Sequence, residues 1–111
     1  MLITFGALLG KVSPLQIIAL GFLEIIVFSV NEQILLTIGI LDVGGSIIVH
    51  LFGAYFGLAA PWVLSPPSAM SNQDNASVYH SDLFAMVGTV FLWIFWPSFV
   101  ASPAGPRDQE R

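Results

Sequence analysis

Charged side chains are scarce in this sequence: Asp, Glu, Lys and Arg make up only 9% of its 111 residues. A soluble domain carries about a quarter charged residues, because its water-facing surface has to be hydrated. Hydrophobic residues make up 56% of the chain, and its mean hydropathy is +0.85. The composition therefore excludes an ordinary water-soluble domain and indicates a membrane protein.

Basic residues and cysteine are rarer still. The cations are Lys11, Arg107 and Arg111, and with a net charge of −4 the sequence offers no basic surface for a nucleic acid. Because the chain has no cysteine, disulfides, thiol nucleophiles and cysteine metal sites are excluded. No second histidine or cysteine stands near His50 at the spacing of metal ligands. We therefore predict no nucleic-acid partner, no metal and no other cofactor.

Three apolar runs are each long enough to cross a bilayer as a helix, which takes about 20 predominantly apolar residues. They cover residues 14–41, 43–64 and 81–100. Residues 1–10 are apolar but only about half a span long, so we expect the stump of a preceding helix. The polar stretches 65–80 and 101–111 are expected to be a loop and a tail. The sequence thus predicts an all-α membrane protein with three transmembrane helices and a partial N-terminal helix.

A typical helix-start residue accompanies each of the three runs. Pro14 stands in the first turn of the first run, where its missing N–H costs nothing. Asp42 directly precedes the second run and is a candidate N-cap, because its carboxylate can accept the free amides of the first turn. Asp82 lies in the first turn of the third run, where the helix dipole favours a negative charge.

Two carboxylates, Glu24 and Glu32, lie inside the first apolar run. A charged side chain that faces lipid costs at least about 2.5–3.5 kcal/mol on insertion scales, so both are expected to contact other helices. Either each carboxyl is protonated or hydrogen-bonded to a neighbouring helix, or it belongs to an ion path. The residues alone leave both interpretations open.

One face of the second run combines an imidazole with small residues. Ser46, His50, Gly53 and Gly57 follow one another at spacings of 4, 3 and 4, which places them along one side of a helix. The pair Gly53 and Gly57 predicts the close approach of another helix backbone. His50 by itself is either a buried histidine hydrogen-bonded to another helix or part of a polar path.

The third run is strongly aromatic and ends in Phe99. Tryptophan and other aromatic rings favour the headgroup level of a bilayer. On composition alone, the rings of this run are therefore assigned to packing or to an interfacial belt, and Phe99 to the belt.

Three longer strings of the sequence resemble one protein family. They are FGALLGKVSP at residues 5–14, DVGGSIIVHLFGAYFGLA at 42–59 and SVYHSDLFAMVGTVFLWIFWPSF at 77–99. They are similar to the Rh glycoproteins, the Rhesus branch of the ammonium transporter superfamily, and the resemblance covers residues 2–99. It implies a fragment of the ammonium transporter fold, in which trimers of about twelve-helix subunits each hold a narrow apolar pore. It also implies that ammonia or ammonium is the transported solute.

The resemblance implies roles for individual residues. His50 matches the first of two pore histidines, and Asp42 matches the acidic residue near the pore entrance. Phe99 matches one of two stacked phenylalanines that gate the outer vestibule, and Glu32 matches an intramembrane glutamate of the preceding helix. These four residues are the expected substrate path, and none of them is expected to be catalytic.

The chain also departs from the family. The second pore histidine and the second gate phenylalanine lie on helices outside this sequence, and after Phe99 the string VASPAGPRDQER no longer follows the family pattern. We therefore expect a truncated copy that does not conduct by itself. The family further implies an integral protein of the plasma membrane, surrounded by the lipid bilayer and assembled as a homotrimer in its full-length form.

Two other function classes stay open from the residues alone. A small membrane protein with this sequence could bind full-length Rh subunits through its glycine face without conducting. A membrane enzyme is disfavoured, because the sequence offers no nucleophile and base pair, metal-ligand set or phosphate loop. Transport is therefore the expected function, and catalysis is not.

Overall fold

The structure, a computed structural model, describes residues 1–105, and the rest of the predicted tail lies outside the described residues. Its regular elements are all helical, which confirms the predicted all-α class. They are α1 (Leu2–Leu8), α2 (Pro14–Ile38), a π-helical turn (Ser46–Leu51) that continues into α3 (Phe52–Leu64), α4 (Pro67–Met70), a 3-10 turn (Gln73–Asn75) and α5 (Tyr79–Ala101).

Three helical segments are long and apolar enough to cross a membrane, as the sequence predicted. They are α2, the π-helical turn together with α3 (Ser46–Leu64), and the segment Gln73–Ala101, which contains α5. The predicted loop at 65–80 holds α4 and the 3-10 turn, and α5 begins at Tyr79 instead of residue 81. The predicted half-span at the N-terminus is the short helix α1.

Both ends of α2 are determined by local hydrogen bonds. At the start, the Ser13 side chain accepts from the Gln16 amide at 3.3 Å, and the Gln16 side chain accepts from the Ser13 amide at 2.8 Å. At the end, Gly39 adopts the left-handed region with φ 86°, which terminates the helix at Ile38. The apolar run continues to Leu41, so the helix end predicted from apolarity lies beyond the observed end of α2.

The first helix, α1, packs against the glycine face of α3. Gly53 and Gly57 are buried, and a Cβ atom on Gly57 would lie 3.0 Å from the Thr4 Cα atom. A Cβ atom on Gly53 would lie 3.1 Å from the Ile3 side chain. The predicted close approach of a helix therefore occurs, and the partner is α1 of the same chain. Beside this contact, a small apolar core forms from Leu8, Leu20 and Ala60.

The last span, α5, is long, and none of its residues is buried. Its ring contacts with the second span lie near its C-terminal end, where Trp96 and Phe99 approach His50. At the same end, a Cβ atom on Gly44 would overlap the Val100 backbone, so only glycine fits there. The rest of α5 presents apolar side chains to lipid or to further helices.

The second span begins at Ser46 instead of residue 43, and Gly45, not Asp42, occupies its N-cap position. The Asp42 carboxylate still accepts from amides of the first turn, as the sequence predicted. Its Oδ2 atom accepts from the backbone amides of Ile47 at 2.8 Å and Ile48 at 2.7 Å. The intervening Gly45 adopts φ 72°, a left-handed conformation that brings the chain back toward the carboxylate. One carboxylate oxygen thus satisfies two amides that the start of a helix leaves without an intrahelical acceptor.

We expect Asp42→Ala to lower the free energy of unfolding by about 1 kcal/mol, the typical cost of losing a capping side chain. Asp42→Asn should stay near the parent, because its amide oxygen can still accept from the two backbone amides. Asp74→Ala is the matched control, since the Asp74 side chain is exposed and forms no hydrogen bond or ion pair in residues 1–105. Thermal unfolding in detergent, followed by circular dichroism, measures the effect. An Asp42→Ala midpoint equal to that of Asp74→Ala would contradict the capping role.

We expect Gly57→Leu to lower the free energy of unfolding by about 1–3 kcal/mol, the usual cost of overpacking, because a side chain there meets the α1 backbone. Gly88→Leu on α5 is the control, since a Cβ atom at Gly88 has no neighbour within 4 Å. The control should be neutral or stabilising, because leucine favours a helix by up to about 1 kcal/mol over glycine. The same unfolding measurement compares the two variants. Equal loss in both would mean that α1 is not packed against this face.

Candidate functional site

His50 lies in the π-helical turn Ser46–Leu51, at the start of the second span. The His50 amide donates to the Gly45 carbonyl oxygen, five residues earlier, at 2.9 Å. A π-helical turn holds one more residue than an α-helical turn, is rare, and occurs frequently at functional sites. The extra residue sets the direction in which the imidazole leaves the helix.

The imidazole of His50 is anchored to the same carbonyl group. Its Nδ1 atom lies 3.0 Å from the Gly45 carbonyl oxygen. Because a carbonyl oxygen only accepts hydrogen bonds, this contact assigns the hydrogen to Nδ1. In the neutral ring, the lone pair then belongs to Nε2, which is left free to accept a hydrogen bond.

Two aromatic rings from α5 contact the imidazole and complete what we call the His50 cluster (His50, Trp96 and Phe99). The ring centroids of His50 and Trp96 are 4.6 Å apart at an interplanar angle of 89°. The Phe99 centroid lies 5.9 Å from His50 at 85°, and Trp96 and Phe99 lie 5.4 Å from each other. Both α5 rings therefore direct an edge or face at one imidazole, the edge-to-face geometry that aromatic rings prefer.

The two spans come close enough for this cluster because Gly44 has no side chain. The last turn of α5 rests on Gly44, with Val100 occupying the space that a Cβ atom would need. Trp96, Phe99 and Val100 share one side of α5, because residues three and four apart lie on the same face of a helix. A side chain at position 44 would therefore displace the rings that contact His50.

The structure places some of the predicted path residues together, whereas one of them, Glu32, lies apart. Phe99 contacts His50, although on composition alone it was assigned to an interfacial belt. Asp42 is half-buried and holds the turn that carries His50. Glu32 is half-buried on α2, and within residues 1–105 no hydrogen bond or ion pair joins it to His50 or Asp42. The packing pair Gly53 and Gly57 lies against α1, outside the His50 cluster.

Trp96 is a cluster residue that the sequence analysis placed only among packing or belt aromatics. It is the ring nearest to His50, at 4.6 Å between centroids. A signal for it exists in the sequence, because Trp96 precedes Phe99 by one helical turn and so lies on the same face. The sequence does not show that Phe99 lies beside the second span, so this signal becomes useful only when the structure places Phe99 there.

Glu24 has buried partners, as a carboxylate in mid-span requires. It is 3% exposed, and its Oε1 atom lies 2.8 Å from the Thr4 hydroxyl and 2.7 Å from the α-amino group of Met1. Thr4 is fully buried, and its hydroxyl also lies 3.2 Å from the Gly53 carbonyl oxygen. The Oε2 atom of Glu24 is buried without a hydrogen-bond partner among the described residues. The sequence indicated that Glu24 needs a partner, but not that Thr4 supplies it.

The chemistry of the site is that of one polar ring nitrogen beside two apolar aromatic rings. Through residue 105, the structure contains no group of three or more His, Cys, Asp or Glu side chains that could hold a metal ion. The groups present are one imidazole nitrogen with an available lone pair and two aromatic rings. Such a surface can accept one hydrogen bond from a small solute while offering little to a hydrated ion.

Comparison with known proteins assigns the chain to a family. The sequence model of the Ammonium Transporter Family matches residues 1–111. Ammonium transporter Rh type B of Danio rerio is 58% identical over 100 residues, covering 88% of this chain and 22% of that protein. Ammonium transporter Rh type B of Mus musculus is 53% identical over 109 residues, covering 96% of this chain and 24% of that protein.

A second type of relative is similar over the same extent. Ammonium transporter Rh type C of Canis lupus familiaris is 49% identical over 110 residues, covering 97% of this chain and 24% of that protein. No solved structure matches the chain. The chain thus spans 22% to 24% of the length of these three relatives. Because the family match extends over every residue, the chain belongs to the Ammonium Transporter Family.

Proposed function

We propose that this chain forms one wall of the conduction path of an Rh-type channel for ammonia or ammonium, with Asp42, His50 and Phe99 on that path. The observation that carries the proposal is the contact between the His50 and Phe99 rings at 5.9 Å. These residues lie on different spans, and the resemblance to Rh glycoproteins assigns both to the path. The relatives named as ammonium transporters support the solute class.

The hydrogen bonds of His50 suit a small uncharged solute. Nδ1 is committed to the Gly45 carbonyl, so Nε2 is the nitrogen that can accept an N–H group of ammonia. Trp96 and Phe99 surround the imidazole with apolar surface, which disfavours a hydrated cation because desolvating an ion is expensive. In this scheme ammonium gives up its proton to water on the entrance side before it reaches the ring, and ammonia passes along the ring.

Asp42 contributes negative charge at the end of the span where His50 lies. Its Oδ2 atom is engaged by two backbone amides, so the carboxylate is held in place and its charge attracts cations to this end. Glu32 has no such partners in residues 1–105, and we propose that it joins the path only where other helices of a complete channel complete its surroundings.

The exposed apolar surface supports a larger assembly in the plasma membrane. No residue of α5 is buried, and Phe99 is 57% exposed although it belongs to the His50 cluster. A conduction path must be closed on all sides, because polar groups and solutes cannot face hydrocarbon without a cost of several kcal/mol. We therefore propose that further helices cover the open side of the cluster, in the trimer that the Rh resemblance implies.

The central test is substitution of His50 in a full-length Rh channel that carries residues 42–99 of this sequence. We expect His50→Arg to abolish ammonia flux per assembled trimer, because a permanent cation repels ammonium and fills the passage. His50→Asn should only reduce flux, since a neutral polar group remains. Stopped-flow measurement of the pH change inside vesicles gives the flux, which is then divided by the amount of assembled trimer.

His80→Arg is the matched control for that experiment, because His80 is exposed at the start of α5 and contacts Tyr79, not the cluster. It should transport at the parental rate. His50→Arg trimers that assemble and transport like this control would show that His50 does not line the path. A loss of flux that only follows a loss of trimer would assign His50 a purely structural role.

We expect the 111-residue chain, reconstituted alone, not to accelerate ammonia entry into vesicles, because its spans supply a single wall. Flux equal to that of protein-free vesicles is the expected result. Flux above that level would mean that copies of this chain complete a channel by themselves. Co-purification with a full-length Rh subunit, without any flux, would instead support a non-conducting partner.

A further inference from the structure

The π-helical turn that carries His50 is held at its N-terminal end by a carboxylate. Asp42 accepts from the amides of Ile47 and Ile48, which are the second and third residues of the turn. A rare turn of this kind persists only where its surroundings maintain it, because the α-helix is the ordinary continuation of the chain. A contact beyond the C-terminal end of the turn would therefore also help to maintain it.

The backbone just beyond the C-terminal end of the turn meets a buried hydroxyl group. The Gly53 carbonyl oxygen, in the first turn of α3, lies 3.2 Å from the Thr4 hydroxyl, which can donate to it. The same hydroxyl lies 2.8 Å from Glu24 Oε1, and because it has one proton it donates to one of these two acceptors at a time. Thr4 is fully buried and Glu24 is 3% exposed, which places the whole contact away from solvent.

We propose that Thr4 is a positioning residue for His50, holding the Gly53 end of the π-helical turn as Asp42 holds its other end. The Thr4 side chain does not contact the imidazole, so it acts through the backbone. This inference rests on the proposed function, because the placement of His50 matters to transport only where His50 lines the path.

The physical reason lies in the register of the helix. If the turn relaxed to an α-helix, the extra residue would have to be absorbed between Asp42 and Gly53, and each residue of register rotates side chains by about 100°. His50 would then leave the Gly45 carbonyl and the rings of Trp96 and Phe99. Anchors on both sides of the turn prevent this relaxation, since neither end can rotate independently.

The contact requires the small residues of α3. Thr4 reaches the Gly53 carbonyl because Gly53 and Gly57 let the α1 backbone lie close to α3. Glu24 Oε1 competes with the Gly53 carbonyl oxygen for the single hydroxyl proton of Thr4. The small-residue face and the buried hydroxyl are thus the two features that bring α1 into contact with the start of α3.

The test reads the imidazole directly, without transport. In a chain with His80→Gln, His50 is the sole histidine, and nitrogen NMR of labelled histidine in bicelles reports which ring nitrogen carries the hydrogen. Thr4→Val keeps the shape of the side chain and removes the hydroxyl, whereas Thr4→Ser keeps the hydroxyl and removes the methyl group. Thr37→Val is the matched control, because the exposed Thr37 hydroxyl bonds only within α2.

We expect the parent, Thr4→Ser and Thr37→Val to show the Nδ1-protonated ring. Thr4→Val should reduce the ratio of this form to the other tautomer by about fivefold, the shift that losing one ordinary hydrogen bond produces. Glu24→Leu should show at least the parental share of the Nδ1-protonated ring, because it removes the competing acceptor and leaves the Thr4 hydroxyl to the Gly53 carbonyl oxygen. A parent-like spectrum for Thr4→Val would overturn the proposal.

A purely structural role is separated by comparing variants of the same size. If Thr4→Val does not fold, Thr4→Ser is compared with Thr4→Ala, since both lack the methyl group and only serine keeps the hydroxyl. Equal His50 spectra in this pair would overturn the proposal, and so would a failure of every hydroxyl-free variant to fold. Because this experiment does not measure flux, a negative result does not contradict the proposed function. A positive result likewise stays valid if His50 proves not to line the conduction path.

Discussion

Inside a bilayer, each polar group has to find its hydrogen-bond partner within the protein, and the arrangement of this chain follows from that constraint. Asp42 meets it with two backbone amides. The Oε1 atom of Glu24 meets it with the Thr4 hydroxyl and the α-amino group of Met1, and Thr4 also approaches the Gly53 carbonyl. Because these groups belong to different helices, satisfying them also determines how α1, α2 and the second span lie against one another.

Glycine makes these contacts geometrically possible. At Gly57 the α1 backbone comes so near that a Cβ atom would lie 3.0 Å from the Thr4 Cα atom, and at Gly44 the last turn of α5 fills the corresponding space. The first approach positions the buried hydroxyl, and the second positions Trp96 and Phe99 against the imidazole. Gly44, just before the second span, and Gly57, within it, thus admit the two helices that pack against this span.

The His50 cluster is open on one side, which matches a wall of a channel better than a closed binding pocket. Phe99 is 57% exposed and α5 has no buried residue. The chain covers 22% to 24% of the length of its Rh type B and type C relatives, so most of the length of those proteins lies outside it.

The sequence by itself determined the features that depend on neighbouring residues. Three apolar runs predicted the three spans, and Asp42 was predicted as a cap because a cap acts within a few residues. Tertiary structure alone decided which helix covers Gly57, which hydroxyl meets Glu24, and that Phe99 contacts His50 and does not only line an interface. These contacts join residues far apart in the chain, so they depend on how whole helices pack. The π-helical turn belongs to the same class, because its register is held from both ends by side chains outside it.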